Sequence, residues 1–284
     1  MMGGGTLHVC AVPIGNLRDA SPRLLEVLGA VDVVACEDTR TTGRLLDLLG
    51  VTSRPRLLAH HDHNEAASAA GIVALLLDGT DVALVSDAGT PAVSDPGSQL
   101  VRAAHEAGVS VVAIAGPSAV AAAVSVSGAQ GIGHRFVGFL PRGEADLAAL
   151  VDRYAGDVVV AFESPHRLVA SLERIAVTQP ERLVTVCREL TKLHEQVVRA
   201  PARNIVALLD AAVRGEVVLV LDALDVVAVD VDVRGAVDLS LEIADAGVRL
   251  KDATRIAGRF AGVPARELYD LANQRRSGAG SDEV

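Results

Sequence analysis

Tryptophan is absent from this sequence, and the other aromatics amount to two Tyr and four Phe in 284 residues. Coating a single strand by stacking successive bases needs rows of rings, so that class of protein is excluded. Positive charge is also in short supply. Twenty-six basic side chains face 36 acidic ones, a net charge of −10, which excludes nucleic-acid binding through bulk charge. Lysine occurs only at Lys192 and Lys251, all other basic residues being Arg. The abundance of Ala, Val, Gly and Asp beside it fits a GC-rich codon bias, and bidentate recognition of phosphate by Arg is the functional alternative.

Cysteine is equally sparse. Cys10, Cys36 and Cys187 lie far apart with no metal-ligand spacing, and the first two sit in apolar strand-like runs, so buried reduced thiols are expected. His60, His61 and His63 are spaced too closely along the chain for a metal set and have no thiol beside them, so no metal is expected. Reduced thiols lead to the expectation of a cytoplasmic, disulfide-free chain, and no basic leader region or cleavage pattern precedes the first strand. One run, 107–134, lacks Asp, Glu, Lys and Arg altogether. Gly116-Pro117-Ser118 breaks it into a Val-rich strand (109–115) and a small-residue helix (118–127). Each piece is shorter than the roughly 20 apolar residues a bilayer requires, so no membrane span is expected.

What is present is an α/β alternation with half of the residues apolar. Strands are predicted at 6–12, 31–36, 81–86 and 109–115, and helices at 21–29, 40–49, 64–77, 98–107 and 118–127. Ser21-Pro22 opens the first helix as N-cap and N1. That spacing predicts a mainly parallel sheet covered on both faces. A second unit starts near Arg135, with strands at 135–139, 157–162, 182–187 and 216–222 and helices at 143–154, 165–176 and 202–213. A third piece, 237–275, places Ala253, Ile256 and Phe260 on one helical stripe, followed by Gly262-Val263-Pro264 and a second helix. It reads either as a helix-turn-helix or as a small cap or dimer arm. The expected division is an α/β domain at 1–133, a second at 134–233, a helical segment at 234–276 and a disordered tail at 277–284.

Chemistry is concentrated just after the predicted strands, where open α/β sheets bind ligands. Val12-Pro13-Ile14-Gly15-Asn16-Leu17, Ser86-Asp87-Ala88-Gly89-Thr90-Pro91 with Ser94-Asp95-Pro96-Gly97, and Gly116-Pro117-Ser118-Ala119 are small-residue loops that let a ligand approach the backbone. An Asp at a strand end can hold hydroxyls or an amine, so a nucleotide-like cofactor is expected. No GxGxxG fingerprint follows the first strand and no GxxxxGK[ST] loop occurs, which disfavours dinucleotide binding and NTP hydrolysis. Three further strand ends are densely charged: Glu37-Asp38-Thr39-Arg40, Glu163-Ser164-Pro165-His166-Arg167 and Arg188 through Glu195. Each alone is an ordinary helix cap with surface ion pairs. Together, in a chain with two lysines, they read as a substrate cleft.

These runs, with Cys36 before Glu37, the Phe136–Arg142 stretch and Cys187 before Arg188, resemble in order the bacterial small-subunit ribosomal RNA methyltransferase I family of the tetrapyrrole-methylase superfamily. The resemblance extends from Leu7 to about Leu221. It implies two α/β domains with S-adenosyl-L-methionine in the cleft between them, plus a small C-terminal helical segment. It also implies methyl transfer to the ribose 2′-hydroxyl of a decoding-region cytidine of 16S rRNA in the small ribosomal subunit, and a homodimer. Within it, Pro13 and Ile14 match the first cofactor loop, Asp87, Gly89 and Thr90 the second, Ser118 and Ala119 the third, and Phe162 the strand-end position that borders the cofactor.

A ribose hydroxyl is a poor nucleophile, and a positioned base is worth roughly 10²–10⁴-fold. Lys192, Glu189, Glu37, Asp38 and His166 are the candidates. Lys192 fits that role if burial and Arg188 depress its pKa, with Glu189 beside it; alignment without a base is the other route. Asn16, Arg40, Arg142, His166, Arg167 and Arg188 are the expected RNA contacts. A tetrapyrrole C-methylase of the uroporphyrinogen type, or a non-catalytic RNA-binding module on the same fold, remains as an alternative. The charge also divides unevenly: residues 1–133 carry −6, whereas 134–203 carry +1. Acid therefore gathers in the first domain, and the stretch expected to meet RNA is close to neutral.

Overall fold

The computed structural model describes residues 4–61, 64–131, 133–210, 213–224, 233–261 and 263–278. His63, the Phe260 side chain and the tail beyond 278 lie outside the described residues. The chain divides into two compact units, Met1–Leu224 and Asp225–Val284.

The first unit contains two sheets. In the first, β1 (Thr6–Cys10), β2 (Val33–Cys36), β3 (Arg56–Ala59), β4 (Val82–Val85) and β5 (Ser110–Ile114) are all parallel, in the order β3-β2-β4-β1-β5. The connecting helices are α1 (Pro22–Ala30), α2 (Thr39–Leu48), α3 (Glu65–Leu77) and α4 (Ser98–Glu106). Strand alternation sorts the core into two layers. Val34, Cys36, Ala83 and Val85 pack with Leu24 and Leu28 of α1 and Leu46 of α2. Their neighbours Val33, Ala35, Val82 and Leu84 pack with Ile72 and Leu76 of α3 and Leu100 of α4. Successive side chains of a strand point to opposite faces, so both faces must be apolar and both are covered. Ser21 caps α1 by accepting from the Leu24 amide at 3.1 Å, with Pro22 at the start of the helix. The short edge strand β3, which the sequence reading does not assign, adds one more strand to this sheet.

The helix α5 (Ala119–Ser127) leaves the first sheet and packs on the second. Its uncharged sequence is explained by that position: Ala123 is buried against Val160, Val218 and Val220. Among the described residues, no helix is long and apolar enough to cross a membrane.

The second sheet is mixed. It comprises β6 (His134–Phe139), β7 (Val158–Glu163), β8 (Leu183–Arg188), β9 (Gln196–Pro201) and β10 (Val217–Leu221), ordered β6-β7-β10-β8-β9. Only the β6–β7 pairing is parallel; β10 runs antiparallel between β7 and β8. The helices α6 (Glu144–Arg153), α7 (Leu168–Thr178) and the short α8 (Ala202–Ile205) cover the face opposite α5. Strand β9 is absent from the sequence reading, and the helix expected at 202–213 ends after one turn and passes into a 3-10 turn at Val206–Leu208. Arg182 is fully buried in this half. Its guanidinium donates to the carbonyls of Asp222, Val151, Tyr154 and Asp157 and to Gln179 Oε1. Burial pulls its pKa down to about 10 despite those acceptors and the nearby Asp222 and Asp157 carboxylates.

Among the described residues the second unit has three helices where the sequence reading expects two: α9 (Val233–Asp245), α10 (Leu250–Ala261) and α11 (Ala265–Gly278). Its core joins Ala236, Val237, Ala257, Val263, Leu268 and Ala272. The buried side of α10 carries Ala253, Thr254 and Ala257, and Ile256, expected on the core stripe, is exposed. Small residues face inward because α10 runs close to the following turn: a Cβ on Gly258 would meet the Val263 carbonyl oxygen at 2.5 Å.

Candidate active site

Three loops at the C-terminal ends of the parallel strands are tied to one another. The Val12 amide donates to the Gly89 carbonyl at 2.8 Å and the Gly89 amide returns a bond to Val12 at 3.1 Å. Thr90 Oγ1 donates to the Pro117 carbonyl at 3.1 Å. Gly89 has φ +76°, a left-handed conformation that costs other residues roughly 1–2 kcal/mol. A Cβ there would also press on Ile14 Cγ2 at 3.3 Å. The loop 88–97 is held from behind: the buried Glu65 carboxylate accepts from the Gly97 amide at 2.8 Å and from the Gln99 amide at 3.0 Å.

The facing edge comes from the mixed sheet. Val217, at the start of β10, is paired with Glu163 at the end of β7 and with Arg188 at the end of β8, so three strand ends meet at one edge. Between the two sets of loops lies a pocket of about 340 Å³. Ile14, Gly89, Thr90, Ser118, Ala119 and Phe162 line it, as do Ser94, Phe139, Glu216 and Val218. Its charged lining residues, Asp95, Glu163 and Glu216, are all acids.

Two of the expected cofactor residues stand elsewhere. Pro13, within the first loop, is buried without lining the pocket, and Asp87 is exposed just before the pocket-lining Ala88. Asp87 accepts from the Asp38 amide at 3.3 Å, and its pKa is pushed up by partial burial and by the Asp38 charge, against that bond. Asp38 is itself held down to about 2, chiefly by the Arg40 guanidinium and backbone amide.

Glu189, Lys192 and Glu216 form a cluster at the pocket edge. Lys192 Nζ donates to Glu189 Oε1 at 2.8 Å and to Glu216 Oε2 at 3.1 Å, and Glu189 Oε1 also accepts the Glu216 amide at 2.9 Å. This corrects the expected depressed lysine. Partial burial pulls the Lys192 pKa down, but hydrogen bonds to two carboxylates outweigh it and the net shift is upward. Glu189 moves the other way, lowered mainly by its bond from Lys192. An ammonium between two carboxylates is not a neutral base. Glu189 and Thr191 both have positive φ, +51° and +68°, in the tight loop joining β8 to β9. That loop touches the other half of the site: a Cβ on Gly15 would lie 2.4 Å from Lys192 Cγ.

The expected RNA contacts separate into two groups. Arg142 and His166 are exposed, Arg40 is exposed and paired to Asp38, and Asn16 caps a 3-10 turn at Leu17–Asp19 by accepting the Arg18 amide at 3.1 Å. Arg167 and Arg188 instead serve the fold. Arg167 bonds the buried Glu163 carboxylate at 2.5 Å and the Leu140 carbonyl at 3.2 Å. Arg188 donates to Gln196, to the Arg214 carbonyl and to Asp210. Among the described residues no cluster of His, Cys, Asp and Glu fits a metal, and the three cysteines are free and buried. Burial raises the Cys10 and Cys187 thiols to about 12. Glu216 and Val218 escaped the sequence reading. They enter the site only because β10 inserts between β7 and β8, a pairing with no local sequence signal.

Residues 6–206 match the model of the Tetrapyrrole (Corrin/Porphyrin) Methylases. The chain is 41% identical over 277 residues to a protein of Neisseria meningitidis serogroup B named ribosomal RNA small subunit methyltransferase I, covering 95% of this chain and 93% of that one. It is 39% identical to the protein of that name in Escherichia coli O157:H7, covering 96% of both, and 38% identical to that of Mycobacterium tuberculosis, covering 98% of both. Among solved structures, it is similar in fold to diphthine synthase (TM-score 0.59, 16% identity, 76% of this chain and 89% of that one). It is likewise similar to uroporphyrin-III-C-methyltransferase from Thermus thermophilus (TM-score 0.53, 19% identity, 77% and 94%). The chain therefore belongs to the tetrapyrrole methylase family and, within it, to the ribosomal RNA small subunit methyltransferase I family.

Proposed function

We propose that this protein is an S-adenosylmethionine-dependent methyltransferase that modifies the ribose 2′-hydroxyl of a cytidine in the decoding region of 16S rRNA. The observation that carries the reading is the pocket itself, built by three interlocked small-residue loops on one side and by polar and aromatic strand ends on the other. Its volume, about 340 Å³, lies within the usual size range of small-molecule sites. Gly89, Ala88, Ser118 and Ala119 let a nucleoside approach the backbone, and Asp95 adds an acidic side chain to the lining, whereas the Glu163 and Glu216 carboxylates are already bound by Arg167 and Lys192. The relatives named for ribosomal RNA methylation match nearly the whole length of this chain, so the substrate reading extends to the second half and the C-terminal helices.

S-adenosylmethionine, when bound, supplies a methyl group already activated as a sulfonium. What remains for the protein is to align the acceptor and exclude water. Ile14, Gly89, Thr90, Ser118, Ala119 and Phe162 hold the cofactor in this reading, with Pro13 and Asp87 supporting the loops from outside the pocket. Lys192 acts by positioning: Glu189 and Glu216 hold its ammonium at the pocket edge, where it donates to the ribose oxygen and orients the hydroxyl for attack. The hydroxyl proton leaves to water at the open rim as the new C–O bond forms. Arg142, His166, Arg40 and Asn16 supply outer contacts to the RNA, while Arg167 and Arg188 act through the loops they brace. A homodimer fits the family but plays no part in this geometry.

The test is direct. Purified protein, methyl-labelled cofactor and small subunits lacking the modification are incubated together, and RNA digests are analysed by mass spectrometry. A ribose-methylated cytidine in the decoding region is expected. Label on a porphyrinogen instead of RNA, or none on either, overturns the reading.

A further inference from the structure

Three of the four phenylalanines in this ring-poor chain meet at one place. Phe136 and Phe139 both pack edge-on against Phe162, with ring centroids 5.0 and 5.6 Å apart and interplanar angles of 66°. A regular strand would not allow this. Residues three apart on a strand point to opposite faces, so Phe136 and Phe139 should diverge. The pairing of β6 with β7 runs Phe136 to Val160 but Phe139 to Phe162, three residues against two. The extra residue makes a bulge containing Gly138 at φ +70°. A bulge bends the strand and re-aims a side chain; here it turns Phe139 towards Phe162 and the pocket.

The result is an exposed ring on a rigid mount. Phe139 is 59% exposed and lines the pocket, whereas Phe162 and Phe136 beneath it are half-buried. The backbone just beyond it is held on both sides. The Leu140 amide donates to the Phe162 carbonyl at 3.1 Å, and the Leu140 carbonyl accepts from Arg167, itself anchored on the buried Glu163. Leu140 is buried, so the mount is also fixed by packing. Exposing so large an apolar surface costs hydrophobic free energy that the fold could have recovered with a small residue. A fixed, exposed ring at a pocket is what stacking on a flat heteroaromatic ligand needs.

We infer that Phe139 is a stacking platform for one nucleobase of the RNA substrate, the base carried by the ribose that is methylated or its immediate neighbour. This rests on the proposed RNA reading of the site. The rim position favours the substrate base over the adenine of the cofactor, because the ring on the inner wall is Phe162 and Phe139 stands further into solvent. Taking one base onto one ring requires that base to be unstacked, as sequence-specific RNA recognition commonly does. The low aromatic content excludes rows of rings but leaves room for a single platform.

Since the chain contains no Trp, Phe139→Trp introduces a lone fluorescent reporter at the platform. Its emission should be quenched by a short single-stranded cytidine-containing RNA and left unchanged by S-adenosylmethionine alone. In parallel, Phe139→Ala and Phe139→Leu should lower kcat/KM for unmodified small subunits by roughly 5- to 150-fold, the range found for loss of a stacked base. Phe139→Tyr and Phe139→Trp should restore most of the kcat/KM that Phe139→Ala loses, and in Phe139→Ala and Phe139→Leu the loss of cofactor affinity measured by calorimetry should be smaller than the loss of kcat/KM on RNA. Quenching by the cofactor, or a cofactor-affinity loss in Phe139→Ala larger than its loss on RNA, assigns the ring to adenine and overturns the inference. Wild-type behaviour of Phe139→Leu reduces the ring to an apolar plug and does the same. If wild-type protein fails to methylate subunits, the functional reading falls, and quenching by RNA alone then decides whether the platform stands.

Discussion

The two sheets of the first unit contribute to the pocket in opposite ways. The parallel sheet offers backbone: its loops carry Gly, Ala, Ser and Pro, and they are knitted together by Val12, Gly89, Thr90 and Pro117. The mixed sheet offers side chains: Phe139, Phe162, Glu163, Glu216 and, just behind, the Glu189–Lys192 pair. The geometry of the strands explains the division. Parallel strands all finish at one edge, so several short loops converge there and can enclose a ligand with amides and small residues. In the mixed sheet, β10 starts where β7 and β8 end, which sets charged strand-end residues of three strands side by side. The first half is therefore suited to a ligand that must always be the same, and the second to a substrate that must be oriented.

If that contrast holds, damage to the first half should show in cofactor affinity and damage to the second in turnover. The largest effect is expected from Gly89→Val. A β-branched side chain at φ +76°, pressed on Ile14, displaces the loop at the centre of the knot. The conformational penalty and the clash together should weaken cofactor binding by about 100-fold or more in calorimetry. An affinity within a few-fold of wild type would break the comparison.

Next in size is Lys192→Met. Losing the group that orients the attacking hydroxyl should cost about 10²-fold in kcat, and here cofactor affinity should stay within about threefold. Equal losses in both quantities would show that the cluster belongs to the cofactor half after all. The same cluster predicts how the rate responds to pH. Glu189 is held below its ordinary value of 4.5, so its contribution is complete above the unfolded pKa and fades as pH falls through the lower folded one. Lys192 is held above 10.5, so its contribution is complete below that value and fades as pH rises through the higher folded one. Across the neutral range neither group changes charge. The kcat/KM profile should carry no inflection from this pair between about pH 6 and 9. A neutral-range inflection that disappears in Lys192→Met would reinstate the lysine as a base.

The two halves also differ in how far they can be read from sequence. The parallel strands are short apolar runs bounded by Gly, Pro and Asp, and both the strands and the ligand-facing loops after them are visible as local patterns. Strand β3 is the exception, four residues long and at an edge, following Ser53-Arg54-Pro55. In the mixed sheet, β9 carries Arg199, ends in Pro201 and follows a seven-residue polar loop whose left-handed residues, Glu189 and Thr191, are not the glycines that usually mark such turns. The place of β10 between β7 and β8 depends on long-range pairing alone. That is why Glu216 and Val218 stayed hidden, and why Phe139, although part of a recognised run, had no visible partner until the bulge brought it onto Phe162. The depressed lysine failed for a related reason. Arg188 is close in sequence, but its guanidinium is turned to Gln196 and Asp210, and the charges that decide Lys192 are Glu189 and the distant Glu216.

The smallest expected effect tests whether the cofactor half depends on support from behind as well as on its own loops. Glu65 sits at the start of α3 and accepts the Gly97 and Gln99 amides with one carboxylate oxygen, at the N-terminus of α4. The buried His60 stands beside it, 3.9 Å from the same oxygen, with its other nitrogen on Ser68 Oγ at 2.7 Å. Burial holds the His60 pKa below the ordinary imidazole value, against the pull of Glu65. Burial thus favours the neutral ring, and among the described residues the two amides and the helix end balance the charge of Glu65. Glu65→Gln keeps an acceptor oxygen but loses the charge, which should destabilise the fold by about 1 kcal/mol in denaturant unfolding. Because the bonds it weakens fix the 88–97 loop, cofactor affinity should fall by roughly two- to fivefold, with kcat at saturating cofactor unchanged. A change in kcat without a change in affinity would mean that this loop serves the acceptor rather than the cofactor, and the division between the two halves would have to be redrawn through Ser94 and Asp95.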